Sequence, residues 1–210
     1  MTAVTLVGSG LMARAIATRV LAGGGAVQVL GESTADAERL AAELGEPGRV
    51  TTGAVGDEVT GDVVVLAVPY AVELELAAAL AETLDGKVVV DISNPVNTET
   101  FERIVPDAGS GAQEVAAAAP GARVVKAFNT TFAGTVAAGE VSGQPLDVLL
   151  ASDDEEAKKT VASVAEDGGL RAVDAGPLER ARELEAAGYL HMVVQEGLGT
   201  GYGSALRIVA

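Results

Sequence analysis

The stretch VTLVGSGLMARAIATRVLAGGGAVQVLGES, Val4 to Ser33, decides the fold. A short apolar run ends in Gly8-Ser9-Gly10. A helical pattern follows, with Met12, Ile16 and Val20 at i, i+4 and i+8 on one face. A second apolar run, Val27–Leu30, then ends at Glu32. Gly8, Gly10 and Ala13 form the G-x-G-x-x-G/A spacing. Gly8 allows the tight strand-to-helix turn. Gly10 lets a pyrophosphate approach the backbone, and Ala13 lets helix and strand pack closely. The free N–H groups at the start of the helix, with its positive dipole end, suit phosphate. Such a triplet alone also fits an ordinary turn. Its flanking strand and helix, and an acid 24 positions after Gly8, select the dinucleotide reading.

The strand candidates are Val4–Val7, Val27–Leu30, Val63–Val68, Lys87–Ile92, Arg123–Phe128, Leu146–Leu150 and Leu170–Val173. DVVVLAV and KVVVDI are apolar without alternation, as expected of strands buried on both faces of a parallel sheet. Ala- and Leu-rich segments fill the gaps. Ser33, Ser110 and Ser152 are each followed three residues later by an acid or amide, a helix-start pattern. Pro177 suits a first helical turn. The expected fold class is α/β: a doubly wound Rossmann-type, mostly parallel sheet with helices on both faces. Residues 1–210 are expected to form a single dinucleotide-binding α/β domain. Its second half, 123–210, would complete the sheet and cover the nicotinamide side.

Composition narrows the function. The chain has 210 residues, 49% hydrophobic but only 3% aromatic, so its core must be aliphatic. A formal net charge of −16 disfavours nucleic acid and anionic membranes as partners. The absence of cysteine excludes disulfides and thiolate metal sites, and a single histidine makes a His-based metal site improbable. No apolar run reaches the ~18 residues of a spanning helix, and the first strand starts too early for a signal peptide. A soluble, cytoplasmic protein without a metal is expected.

Ligands of open α/β sheets sit beyond the carboxyl ends of the strands. Val68, Pro69 and Tyr70 follow one strand; Asn94 and Pro95 follow the next; Ala127, Phe128 and Asn129 follow the third. Singly, Pro69 could start a helix, Asn94 could make an Asx turn and Phe128 could be core. Together they would surround a nicotinamide. Glu32 is placed to accept hydrogen bonds from the adenosine ribose and to repel a 2′-phosphate, which favours NAD. Ser33 is either a helix cap or a weak phosphate ligand. His191, on an amphipathic segment, is a packed or capping residue or else an acid. Glu73 and Glu75, at i and i+2, cannot share a helix face and so are not a carboxylate pair.

VGSGLMARAIA, AVPY, VVVDISNP, VVKAFNT, the block Val124–Glu185 with DAGPL, and the tail GLGTGYGSALRIV together resemble the NADPH-dependent reductases of the deazaflavin coenzyme F420. The resemblance implies a single-domain enzyme, a homodimer, that moves a hydride between a nicotinamide and a deazaflavin. It implies Ser9, Gly10, Leu11 and Met12 in the pyrophosphate loop, Glu32 and Ser33 at the ribose, and Tyr70, Asn94 and Ala127 on the nicotinamide side. The family's 2′-phosphate site has a small polar residue followed by arginine, with a lysine further on. Glu32, Ser33 and Ala37 stand at those places here, so NADP, implied by the resemblance, competes with NAD. An anionic deazaflavin would need a local basic patch, for which Arg14, Lys126 and Arg207 are the candidates. The alternatives are an NAD(P)-dependent reductase of a small carbonyl or imine, with His191 or Lys126 as its acid, and a non-catalytic dinucleotide sensor. A tail leaving a flat slot would indicate a planar acceptor; one sealing the site would indicate a small substrate.

Overall fold

The computed structural model describes residues 2–209. Its first half runs β1 (Ala3–Val7), α1 (Leu11–Ala22), β2 (Ala26–Gly31), α2 (Thr34–Leu44), β3 (Val50–Ala54), β4 (Val63–Leu66), α3 (Tyr70–Ala79) and β5 (Val88–Asp91). Its second half runs α4 (Gly111–Ala118), β6 (Arg123–Lys126), α5 (Ala133–Ala138), β7 (Glu140–Val141), β8 (Gln144–Pro145), β9 (Asp147–Ala151), α6 (Glu155–Asp167) and β10 (Arg171–Gly176). A 3-10 turn at Leu178–Arg180 then leads into α7 (Ala181–Val193) and α8 (Gln195–Leu198).

The main sheet has the order β10-β9-β6-β5-β4-β1-β2-β3. Strands β1 to β6 are mutually parallel. Strands β9 and β10 are parallel to each other, and β9 joins β6 antiparallel through Lys126 and Ala151. The doubly wound, mostly parallel reading is therefore correct. The order reverses between β1 and β4, the switch point beyond which ligands of such sheets sit. The central strands are apolar on both faces because both are covered: Val63 to Leu66 are all at most 2% exposed. One core cluster contains Leu6, Ile16, Val29, Val90, Val148 and Val161, so the helices of both halves close on the same face. Each such aliphatic side chain contributes roughly 1.5–3 kcal/mol on burial.

Three local readings need correction. Strand β3 was not anticipated: VTTGA is an edge strand paired only with β2, and its threonines and glycine interrupt the apolar signal. The β7–β8 hairpin was also missed. Its turn residues, Ser142 and Gly143, both have positive φ, as a two-residue hairpin requires. Ser33 and Ser110 do cap α2 and α4, but Ser152 does not cap α6. Asp154 does, accepting from the N–H groups of Glu156 and Ala157, while Ser152 Oγ donates to the Val124 carbonyl 2.6 Å away. A carboxylate so placed gains from two N–H groups and the helix dipole, and it also pairs with Arg123 at 2.6 Å.

Candidate functional site

The glycine loop joins β1 to α1. Gly8 has φ +116°, and its N–H donates to the Leu30 carbonyl at 2.8 Å. A Cβ there would collide with the Ala67 carbonyl, so the β1 and β4 ends can meet only at glycine. Gly10 caps α1 without a side-chain partner, and a Cβ on it would enter open space. That space is the room a pyrophosphate needs at the helix N-terminus. Ala13 is fully buried.

Two open cavities meet over this loop and share Gly10, Ala67, Val68 and Pro69. One, about 520 Å³, is also lined by Gly8, Ser9, Glu32, Val55, Val72 and Leu76. The other, about 510 Å³, is lined by Leu11, Met12, Tyr70, Ile92, Ser93, Asn94, Val96, Thr98, Phe101 and Met192. The first has an exposed carboxylate at the end of β2; the second is a mostly apolar slot. Their dimensions and continuity fit the two halves of a dinucleotide.

The structure thus brings Gly8, Ser9, Gly10, Leu11, Met12, Glu32, Val68, Pro69, Tyr70 and Asn94 to this double cavity. It sets Pro95, Ala127, Phe128 and Asn129 behind the wall. Ala127, Phe128 and Asn129 are all at most 4% exposed. Phe128 turns the chain with φ +60°. Asn129 Nδ2 donates to Asn94 Oδ1 at 2.9 Å, and Asn94 Nδ2 donates to the Asn129 carbonyl at 2.8 Å. Asn129 therefore orients Asn94 rather than lining the cavity. Helix α7 approaches this pair at Gly188, where a Cβ would lie 2.7 Å from the Asn129 carbonyl oxygen. Ser33 serves as the α2 cap, its Oγ accepting from the Asp36 N–H.

The proposed basic patch does not exist as read. Lys126 is fully buried. Its Nζ lies 2.9 Å from Asp91 Oδ2, 3.0 Å from Glu185 Oε1 and 2.7 Å from the Ser93 carbonyl. Burial pushes its ammonium down, but the carboxylates of Asp91 and Glu185 beside it push it up further, so the net shift is upward. Arg207 donates to the Pro145 carbonyl at 2.6 Å and braces the hairpin. Arg14 is 3.4 Å from Glu43. Sequence reasoning overlooked Arg39, which with Arg14, Ser9, Gly10 and Leu11 lines a recess of about 250 Å³ beside the glycine loop. Its distance in sequence from the acid at Glu32 hid it; α2 carries it back.

Glu73 carries more than its spacing from Glu75 suggested. It faces inward and is fully buried, while Glu75 is exposed, so the two do not pair. The carboxylate beside Glu73 is Asp91. Burial, then the Asp91 charge, raises the proton affinity of Glu73 well above the usual carboxylate range. Tyr70 donates to Glu114; burial, then that carboxylate, raises its phenol well above the ordinary value.

His191 is 4% exposed. Its Nδ1 is 3.1 Å from the Thr130 carbonyl, and its Nε2 is 2.8 Å from Ser204 Oγ. Phe132 packs on its ring, with centroids 4.4 Å apart. Both nitrogens are thus engaged, Nδ1 with the loop after β6 and Nε2 with the tail, whereas its neighbour Met192 lines the slot. Burial lowers the imidazole's proton affinity against the opposing Thr130 contact, which keeps it neutral. A lowered value in the folded state means stability is lost as pH falls below 6.5. His191→Gln is expected to cost about 1–2 kcal/mol through the lost contacts. Turnover should stay within about two-fold, since proton transfer by a positioned group contributes ~10²–10⁴-fold. Thermal melts and initial rates on the variant check both; a folded, inactive variant would make His191 the acid. The tail itself, through Ser204, Arg207 and Ile208, is bound along the β8–β9 side and α8. None of its described residues lines or seals the slot.

A Gly-x-Gly turn at a helix N-terminus, an acid at the second strand end and a sheet-order reversal between them define an NAD(P)-type Rossmann domain. Residues 3–95 match the family model described as NADP oxidoreductase coenzyme F420-dependent, so the resemblance read from the sequence is borne out. The chain is 37% identical over 133 residues to the F420-dependent NADP reductase of Methanocaldococcus jannaschii, covering 60% of this chain and 58% of that protein. It is 33% identical over 183 residues to Metalloreductase STEAP3 of Rattus norvegicus, covering 87% of this chain and 36% of that protein. The chain therefore spans between about a third and about three-fifths of these curated relatives. A solved structure from Arthrobacter sp. FB24, provisionally named a F420-dependent NADP-reductase, superposes with TM-score 0.88 at 25% identity over all of both chains. Among the described residues, no helix is long and apolar enough to cross a membrane.

Proposed function

We propose that this chain is an NAD(P)-dependent oxidoreductase that passes a hydride between a nicotinamide and a planar, deazaflavin-type acceptor such as F420. The carrying observation is the pair of open cavities joined over Gly10, one with Glu32 and the other apolar. A bound nicotinamide supplies the hydride at its ring carbon; the chain supplies position. Gly8, Ser9, Gly10, Leu11 and Met12 hold the pyrophosphate, and Glu32 holds the adenosine ribose. Val68, Pro69, Tyr70 and Asn94 floor the nicotinamide. Pro95, Ala127, Phe128 and Asn129 support that floor from behind. The unsealed slot favours a planar ring over a small carbonyl or imine. The matched family and the reductase names of two relatives support chemistry over mere sensing. Residues 1–210 act as one domain, with the half from Arg123 onward flanking the slot. Leu190, Val193, Val194 and Leu198 leave an apolar face on α7 and α8 exposed, which suits a homodimer; sedimentation reads this directly.

Glu32 favours NAD over NADP by charge repulsion of a 2′-phosphate. NADH is expected to bind at least about ten-fold more tightly than NADPH, a difference of ~1.4 kcal/mol. Glu32→Ala should narrow the gap. Fluorescence titration with both cofactors, followed by a deazaflavin reduction assay, tests the whole reading. NADPH preference would overturn the role of Glu32 and transfer attention to Arg39. Binding without turnover of any acceptor would leave a sensor.

A further inference from the structure

The mostly apolar slot rests on a buried polar cluster that positioning alone does not require. Glu73 on α3 is fully buried, and neither of its carboxylate oxygens has a hydrogen-bond partner of good geometry. Ser93, at the end of β5, lines the slot, is 6% exposed, and its Oγ is likewise unpartnered. Ser93 and Asp91 lie close enough to Glu73 to alter its proton affinity through their side chains. The Ser93 backbone is held in place. Its N–H donates to Asp91 Oδ1 at 2.7 Å, and its carbonyl accepts from Lys126 Nζ at 2.7 Å. A buried hydroxyl with no partner, on a residue that lines the slot and beside a buried carboxyl, is costly unless something uses it.

We propose that Glu73 and Ser93 form a proton-delivery pair for the acceptor, with Ser93 Oγ, unpartnered in the slot wall, turning about its Cα–Cβ bond to meet the acceptor, and Glu73 the store behind it. This rests on the hydride-transfer reading above. A deazaflavin-type ring with a conjugated C=C–C=N system takes a hydride at carbon, and the electron pair displaced to nitrogen needs a proton. That nitrogen takes the proton of Ser93 Oγ as the O–H bond breaks. Ser93 Oγ takes the proton of the Glu73 carboxyl, and the resulting carboxylate takes one from solvent. One acceptor, one reduced nicotinamide and one proton give one dihydro-acceptor and one oxidised nicotinamide. The reverse reaction runs the same path backwards.

The electrostatics suit the task. Facing Glu73 are Asp91 from β5 and Lys126 from β6; Glu185 from α7 joins the cluster through Lys126, with Tyr70 on the same helix as Glu73 and Glu114 of α4 behind that phenol. Lys126 is already shared by Asp91 and Glu185. Glu185 additionally accepts from the N–H groups of Gly111 and Ala112 at 3.1 and 3.3 Å. With one cation among three carboxyls, Glu73 is the one that stays protonated near neutral pH. Lys126 is also the cation that steadies its carboxylate after the proton leaves.

Two readouts test the pair. The infrared carboxylic-acid C=O band of the wild-type protein at pH 7 should vanish in Glu73→Gln, whether or not an acceptor is present. The exposed Glu75→Gln on the same helix should retain it. If the wild type shows no such band, the store is absent and the proposal fails. In the second readout, Glu73→Gln and Ser93→Ala should each slow deazaflavin reduction by roughly 10²-fold. They should abolish the solvent deuterium isotope effect and the alkaline fall in rate, while NADH affinity is unchanged. The double variant should be no slower than either single one. Variants with wild-type rate and pH profile would overturn the proposal. Failure of the wild type to bind NADH or NADPH, or to reduce any acceptor, would instead overturn the proposed function, with the infrared result still deciding the proton store.

Discussion

Lys126→Met is expected to be the most damaging single substitution in this chain. The ammonium is fully buried between Asp91 and Glu185, with Glu73 alongside. Methionine has similar length and fills the space, so packing is largely kept while the charge is lost. Removing one partner of a buried ion pair costs about 3–5 kcal/mol, because the remaining charges stay desolvated without a counter-ion. That is a large share of the ~5–15 kcal/mol that holds a domain together. The variant is expected to be mostly unfolded at neutral pH or recovered only in acid, where protonation relieves the carboxylates. Denaturant melts across pH 4.5 to 8 read this directly. The wild type should show a weaker trend of the same sign. The Glu73 carboxyl binds its proton more tightly folded than unfolded. The folded state therefore holds more protons above pH 4.5, and stability declines as pH rises toward the raised folded value. A Lys126→Met protein as stable as wild type at pH 7 would show that the cluster is not organised as described.

Gly8→Ala should abolish dinucleotide binding. Its φ of +116° is a conformation that side chains rarely adopt, and its Cβ would strike the Ala67 carbonyl at the end of β4. The strain costs ~1–3 kcal/mol. The chain can relieve the clash only by separating β1 from β4 where the cavities join. A displacement of about 1 Å at such a site costs on the order of 10²-fold in binding or rate. Gly10→Ala makes the informative contrast. Its Cβ meets nothing within 4 Å, so the protein should fold with near wild-type stability yet bind dinucleotide poorly, because the methyl occupies the pyrophosphate's space. Melting curves and NADH titration on the two variants separate the cause: Gly8→Ala should lose both properties, Gly10→Ala only binding. Tight NADH binding by Gly10→Ala would place the pyrophosphate elsewhere.

The sequence by itself determined the architecture and the position of the cofactor loop. Strands buried on both faces must be apolar throughout, as VVVL and VVVD are, and a glycine spacing flanked by strand and helix leaves few alternatives. Glu32 and the residues at the β4 and β5 ends were legible because they lie immediately beside those strong signals. The edge strand β3 and the β7–β8 hairpin were not, because partly exposed short strands carry no apolar run. The tertiary structure alone decided which residues face the slot and which brace it. Ala127, Phe128 and Asn129 look equivalent to Asn94 in the sequence. Whether a strand-end residue lines a cavity depends on the helix packed behind it, here α7 at Gly188. Only tertiary structure could likewise turn Lys126 from a surface cation into the centre of a buried cluster and bring Glu73 to it. These residues are 53 positions apart, and their charge states follow from burial and neighbours across the sheet. Local sequence encodes neither.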